Sequence, residues 1–347
     1  MKPRQYPPRV QRTTCTNYGI AETMFVAKAR YGPADRYNLI MKIAIKNALP
    51  PQGYAPSLAT ALEGRHPWLV QWFAKRTATV LDWPWREHGC TPSEGLQLRL
   101  AQYPSNPDLP TGAALGPFLA GVTDTRERVW LIDMCSTVIG QDRAALVALP
   151  DLDISAEESE ALWQTALPLF DDASAGFTLE PLSTGRARLH GPMPNPEKSI
   201  SPMALSGQDI GDWWPTGTLW QPWRRLLNEL QMTWHEHPVN EARAARGQIP
   251  INGVWLYGGG MGWQPTVPPV TTWCDELTEA ARDGDWHQWI ESWQALQTTL
   301  MAADPNAEVV LLGTDRSVSL RAATQTWWQS MMGIGKPKAW TKWWCHK

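Results

Sequence analysis

The chain lacks most of the features that would classify it at once. No apolar run approaches the roughly 18 residues needed to cross a bilayer, so no membrane span is expected. The first residues hold no apolar core of the secretory kind, and no signal peptide is expected there. The five cysteines (Cys15, Cys90, Cys135, Cys274, Cys345) are scattered, odd in number and never spaced C-x-x-C. That pattern argues against a disulfide framework and against a cysteine-based zinc cluster, and a reducing cytoplasm is the expected compartment. Charge is sparse, at 19% of residues with a net of −3. Such a balance disfavours a broad polyanion-binding face, so no nucleic-acid partner is expected and any basic site must be local. Phenylalanine (5) and tyrosine (7) are few, whereas tryptophan reaches 22. Most of these indoles should fill seams between helices and sheets; a protein partner on a Trp-rich surface is the functional alternative.

Catalytic signatures are also missing. There is no G-x-S-x-G, no G-x-G-x-x-G and no P-loop. Ser136 and Thr137, just after Asp133, read as strand-end chemistry. His235 and His237 are two apart and so leave a helix on different faces. No metal motif is read around His66, His88, His190, His287 or His346. No metal ligands are assigned on this basis, and no cofactor is evident.

What is present is enough for a sizeable core: 347 residues, 43% of them hydrophobic. Residues 1–36 are basic and Pro-punctuated, without sustained periodicity, and read as a flexible extension. A start at Met41 would remove them and keep most of an apolar strand at 39–45; a mitochondrial-type presequence is the alternative. Helical patterns follow at 57–63 and 67–79, then a loop-rich stretch and a strand at 128–134. Ser155 and Glu158 form a capping box ahead of a helix running to Pro168. Residues 177–190 read as a hairpin around 183–185. A helix at about 221–235 shows Trp223, Leu226, Leu227, Leu230 and Trp234 at helical spacing. A short helix at 240–246 ends at Gly247, and a strand at 251–257 leads into Gly258, Gly259 and Gly260. Helices near 271–282 and 284–302 precede a hairpin at 308–321. The expectation is an α/β fold with a mixed, largely parallel sheet flanked by helices, carrying a small α+β insertion at about 128–190 and a C-terminal β-hairpin. One α/β domain would span 37–335, followed by a basic, Trp-rich tail at 336–347. That tail suits stacking on single strands or a membrane surface, but burial of Trp340, Trp343 and Trp344 by docking explains it without a ligand.

The residues that point most directly to a ligand are His237, Asn240, Arg243 and Asn252 with Gly258, Gly259 and Gly260. His237 and Asn240 are three apart, as are Asn240 and Arg243, so they can share a helix face. An imidazole, an amide and a guanidinium beside a glycine turn would suit a phosphate or carboxylate. Structural use of the same residues, as helix caps and a tight turn, is the competing account. Arg246 reads as solvated.

The stretch 223–260, WRRLLNELQMTWHEHPVNEARAARGQIPINGVWLYGGG, with DWWP at 212–215 and PLSTGRARL at 181–189, resembles the hallmark region of a bacterial family of RpfE-type regulatory, or phosphoglycerate mutase-like, proteins. The run His237-Pro-Val-Asn-x-x-Arg, then Gly247, Pro250, Asn252, Trp255 and the glycines, is similar to a segment of archaeal-type cofactor-independent phosphoglycerate mutases. Those enzymes belong to the alkaline phosphatase superfamily, and the resemblance implies an α/β fold across about 37–330. It also implies an Asp-Gly pair ending the first strand, a serine nucleophile, and Asp and His ligands for two divalent metals. Here the first strand runs into Ile45-Lys46-Asn47-Ala48, and the C-terminal third lacks an Asp-His cluster. The expectation is therefore a mutase-related protein that has lost its two-metal site and binds a small phosphorylated or carboxylated ligand in a regulatory role. An active metal-dependent mutase or phosphatase, with Mn, Mg or Zn, is the first alternative. A Trp-rich protein-interaction module is the second.

Overall fold

The computed structural model describes residues 42–104, 110–140, 143–170, 176–193, 199–266, 271–323 and 340–345. The expected extension at 1–36, the first residues of the 39–45 strand and part of the 336–347 tail lie outside them. In chain order the elements are β1 (Lys42–Ile45), α1 (Ala55–Arg65), α2 (Pro67–Ala74), β2 (Arg76–Asp82), α3 (Trp85–His88), α4 (Pro92–Leu100) and α5 (Leu115–Ala120). Next come β3 (Arg128–Ile139), β4 (Ala144–Val147), α6 (Ala156–Phe170), β5 (Thr178–Ser183), β6 (Arg186–His190), α7 (Pro202–Leu205), α8 (Gln221–His235) and α9 (Pro238–Ala245). The remainder is β7 (Gly253–Met261), β8 (Thr271–Cys274), α10 (Thr278–Asp283), α11 (Trp286–Ser292), α12 (Gln297–Ala302), β9 (Glu308–Leu312), β10 (Arg316–Ala322) and α13 (Trp340–Trp344). The fold is α/β with mixed sheets flanked by helices, as the residue pattern predicts.

The described residues form two compact units, one from those within 42–80, 271–313, 317–323 and 340–345, the other from those within 81–266 and 314–316. In the first, the strand order is β2-β10-β9-β1-β8. β1 is an interior strand, parallel to both β8 and β9, whereas β10 returns antiparallel to β9. A strand of Lys-Ile-Ala-Ile composition suits that place, since a strand covered on both faces has to be apolar. Ile43, Ile45, Val309 and Leu311 join Leu58, Leu62, Leu69 and Phe73 in its core. α13 belongs to this core: Trp340 and Trp344 are buried, and Trp344 Nε1 donates to Ala55 O at 3.1 Å. Docking is thus what the described part of the tail does.

Two segments expected to be helical are strands. α2 stops at Ala74, and the following Arg-Thr-Ala-Thr-Val-Leu-Asp is β2. Thr-Thr-Trp-Cys at 271–274 is β8. Both are short runs rich in β-branched or aromatic residues, which lose less on a pleated surface than in a helix.

The second unit holds an antiparallel sheet of order β4-β3-β6-β5, with β7 also paired to β3. The expected hairpin at 177–190 is β5 and β6. Side chains alternate across β3. Trp130, Ile132 and Met134 enter a core with α6 and α8, whereas Val129, Leu131 and Cys135 enter another with Trp255 and Tyr257. α8 starts and stops at the expected residues, and Trp223, Leu226, Leu227, Leu230 and Trp234 are its buried stripe. Trp234 closes the contact with α6 by donating from Nε1 to Leu162 O at 3.1 Å. β7 does not end before the glycines; it runs through Gly258–Gly260 to Met261.

Candidate functional site

His237, Asn240, Arg243 and Asn252 gather where α8, α9 and the start of β7 meet, whereas Gly258, Gly259 and Gly260 lie toward the other end of β7; each nominated residue has a partner within the chain. His237 is the N-cap of α9, its Nδ1 accepting from Val239 N at 3.2 Å. Asn240 is buried and bonds at both ends of its amide: Nδ2 donates to Trp234 O (2.7 Å) and Ile251 O (2.8 Å), and Oδ1 accepts from Ile251 N (2.8 Å). The side chain thus replaces backbone pairing between the end of α8 and the approach to β7. Asn252 does the same beside β3, accepting from Thr137 N at 2.7 Å and donating to Thr137 O at 2.9 Å.

Arg243 is fully buried. Its Nε donates to Ile249 O at 2.9 Å, Nη1 to Glu158 Oε2 at 2.7 Å, and Nη2 to Leu152 O. Glu158 also accepts from Ser155 N, completing the capping box of α6, and pairs with Arg246. Burial opposes the Glu158 charge, but the Ser155 and Arg243 bonds prevail and hold its carboxyl below the ordinary range.

The glycines make close backbone contacts. Gly258 pairs with Trp130 and Gly260 with Val129, which leaves Gly259 as the extra residue of a bulge. Gly258 and Gly259 have φ of 91° and 84°, a conformation strained for any side chain. A Cβ on Gly258 would lie 2.9 Å from Gly116 Cα, and one on Gly260 2.6 Å from Ala113 O. Gly258 N donates to Ser199 Oγ, and Gly259 O accepts from Arg128.

A second constellation lies on the other face of the same sheet. Asp133 of β3 is directly opposite Arg186 of β6, and the two form a bidentate pair at 2.7 Å on both oxygens. Tyr257 of β7 donates its hydroxyl to Asp133 Oδ1 at 3.0 Å. Glu94 of α4 approaches from above, accepting from Thr91 N (2.7 Å), Thr91 Oγ1 (2.9 Å) and Ser201 Oγ (2.7 Å). Burial pushes the Glu94 carboxyl up despite those bonds. The Tyr257 hydroxyl is raised well above its usual value by burial and then by Asp133, so it stays protonated. Burial penalises the Arg186 charge, but Tyr257, Asp133 and Glu94 outweigh it and raise its pKa. Asp133 is only 2% exposed, whereas Arg186 retains 26%. Nη1 of Arg186 has no hydrogen-bond partner among the described residues. A guanidinium clamped on one edge and reachable on another, beside a carboxyl biased toward its protonated form, presents donors to an anion.

Sequence reasoning noted Asp133 only as a strand end and overlooked Glu94, Arg186 and Tyr257. The signals were a T-x-x-E capping box at Thr91–Glu94 and the arginine of the PLSTGRARL stretch. Neither identifies a cluster, because four elements far apart in sequence supply it.

The metal ligands implied by the mutase resemblance do not assemble among the described residues. β1 is followed by Lys46 and Asn47, and no three His, Cys, Asp or Glu side chains converge in a way that could hold an ion. No helix among the described residues is long and apolar enough to cross a membrane.

No protein-family model matches the chain. A 61-residue stretch is 33% identical to a probable 2,3-bisphosphoglycerate-independent phosphoglycerate mutase of Geobacter sulfurreducens. That match takes in 18% of this chain and 15% of that protein's length. Among solved structures, the PH0037 protein from Pyrococcus horikoshii aligns with a TM-score of 0.42 at 12% identity, over 82% of this chain and 87% of that one. The cofactor-independent phosphoglycerate mutase from Thermoplasma acidophilum DSM 1728 aligns with a TM-score of 0.31 at 15% identity, over 83% and 91%. The RpfE-type regulatory description is not confirmed by these comparisons; weak homology to cofactor-independent phosphoglycerate mutase is what they give.

Proposed function

We propose that this chain is a phosphoglycerate mutase-related protein that works without a two-metal phosphotransfer centre and binds a small phosphorylated or carboxylated ligand in a regulatory role. The observation that carries this reading is Arg186: its guanidinium is fixed by Asp133, partly exposed, and has Nη1 unengaged among the described residues. In this reading the Asn240–Arg243–Asn252 corner and the glycines Gly258–Gly260 brace β7, and anion contact falls to Arg186, beside the Glu94 carboxyl whose pKa burial raises. Among the described residues the carboxylates and histidines stay scattered, which favours binding over phosphoryl transfer; without a metal pair, none of those residues would activate a serine or neutralise a transferring phosphoryl group.

The test is thermal unfolding with 3-phosphoglycerate, inorganic phosphate and a simple carboxylate, each with and without manganese. Ligand at a hundred times its Kd adds about 2.7 kcal/mol of stability by mass action. The expected result is an anion-dependent rise that needs no metal and is lost in Arg186→Lys, whose circular dichroism stays native. A flat panel, or an equal rise in Arg186→Lys, overturns the reading. A rise that requires manganese instead favours an active metal-dependent mutase or phosphatase; the Geobacter relative is named as a probable phosphoglycerate mutase.

A further inference from the structure

The second unit carries a cleft of about 570 Å³ that no part of the reading above uses. Six tryptophans line it: Trp130, Trp213, Trp214, Trp220, Trp223 and Trp255. Trp130, Trp223 and Trp255 are buried, whereas Trp213, Trp214 and Trp220 are partly open. Trp130 and Trp220 meet edge to face, with ring centroids 6.3 Å apart. The rim is the segment 215–219, tied to α8 because Arg224 Nη1 donates to Pro215 O (3.1 Å) and Gly217 O (2.8 Å). Leu219 on this rim is 77% exposed.

We infer that this cleft is a binding site for an uncharged, planar aromatic small molecule. Its volume falls inside the roughly 300–1,000 Å³ typical of small-molecule sites. No lining residue is ionisable, so a charged ligand would give up hydration with no countercharge in return. The only side-chain hydroxyls are those of Thr216 and Thr218, too few for the many hydroxyls of a sugar. Indole faces and edges instead offer offset and edge-to-face stacking, each such contact favourable beyond the area it buries. A rim clamped by Arg224 keeps the walls apart in advance of binding, which lowers the ordering penalty for the ligand.

The experiment is titration of the whole chain with N-phenyl-1-naphthylamine, a neutral aromatic fluorophore, followed by its emission and by energy transfer from tryptophan. One site per chain is expected. Trp220→Ala should weaken binding at least tenfold, and Thr218→Arg, at an exposed rim position with no buried contact to lose, should do the same. Trp286→Ala in the other unit should leave it unchanged. Circular dichroism and melting temperature show which variants fold. If Trp220→Ala misfolds, Thr218→Arg decides alone. Unchanged affinity in the folded rim variant overturns the assignment. So does preferential binding of choline or methyl glucoside in competition, or displacement of the probe by a proline-rich peptide but by no small aromatic.

Discussion

Replacing Arg243 with alanine tests whether an internal ion pair holds the approach to β7 in place. The side chain is 0% exposed, and the substitution removes the donors to Glu158, Ile249 O and Leu152 O together. Breaking a buried pair from one side costs about 3–5 kcal/mol, because the surviving charge stays behind. The two carbonyls add to this, but all three bonds come from one guanidinium and do not sum. A loss of about 4 kcal/mol is a large share of the 5–15 kcal/mol that typically holds a domain together. At about 2–4 °C per kcal/mol, the melting temperature should drop by roughly 8–16 °C. Arg246→Ala is the internal control: its side chain is 51% exposed, and its loss should stay below about 1 kcal/mol. Urea and thermal unfolding at pH 7 measure both, and a cycle with Glu158→Gln should show coupling of about 1–3 kcal/mol. The pH sense also follows. Glu158 is held below its ordinary range, so its contribution is full above the unfolded value and disappears as acid protonates it in the folded state. The gap between Arg243→Ala and the parent should therefore narrow in acid. If Arg243→Ala costs no more than Arg246→Ala, or the gap widens in acid, the ion-pair argument is wrong.

Gly258→Ala combines a strained φ with a Cβ 2.9 Å from Gly116 Cα, and should cost several kcal/mol, on the order of 1–3 each for strain and overpacking. A melting temperature within about 2 °C of the parent would refute the close-approach account. Glu94→Gln should act in the opposite direction and depend on pH. Burial raises the folded pKa of Glu94, so the folded state holds its proton more tightly than the unfolded chain, and stability declines as pH climbs above the ordinary carboxylate value. A neutral isostere escapes that decline: Glu94→Gln should match the parent near pH 4 and gain on it by pH 8 in parallel melts. A difference that stays constant with pH would count against a raised Glu94 pKa.

Legibility from sequence followed the range of the interaction. α8 and the Ser155–Glu158 cap were readable because their signals, a five-residue apolar stripe and a box four residues long, are complete within one turn or a few. The 308–321 hairpin was readable for the same reason. β2 and β8 were not, since four to seven residues of Thr, Val and Trp acquire strand identity only from partners elsewhere in the sheet. Around α9, residue types and spacing placed His237, Asn240 and Arg243 on one short helix, where His237 is the N-cap and Asn240 and Arg243 are buried. They could not say whether Arg243 faces a ligand or Glu158, because the carboxylate lies 85 positions away. The Asp133–Arg186–Tyr257 cluster depends on cross-strand register, which no local pattern encodes.

The interior position of β1, between β8 and β9, has a consequence for biosynthesis. Its two neighbours, β8 and β9, are paired through Ile43 with Thr272 and Val309, so residues 81–268, nearly all of the second unit, are translated between the first strand and the strands that flank it. At about 5–20 residues per second, a nascent chain carries β1, α1 and α2 with Leu58, Leu62 and Phe73 uncovered for on the order of ten seconds to a minute. Over that interval the contiguous 81–268 segment can close its own core, whereas the first sheet waits on a long-range closure that is intrinsically slow. Newly made chains stalled between β7 and β9 are the population in which aggregation and chaperone capture should concentrate.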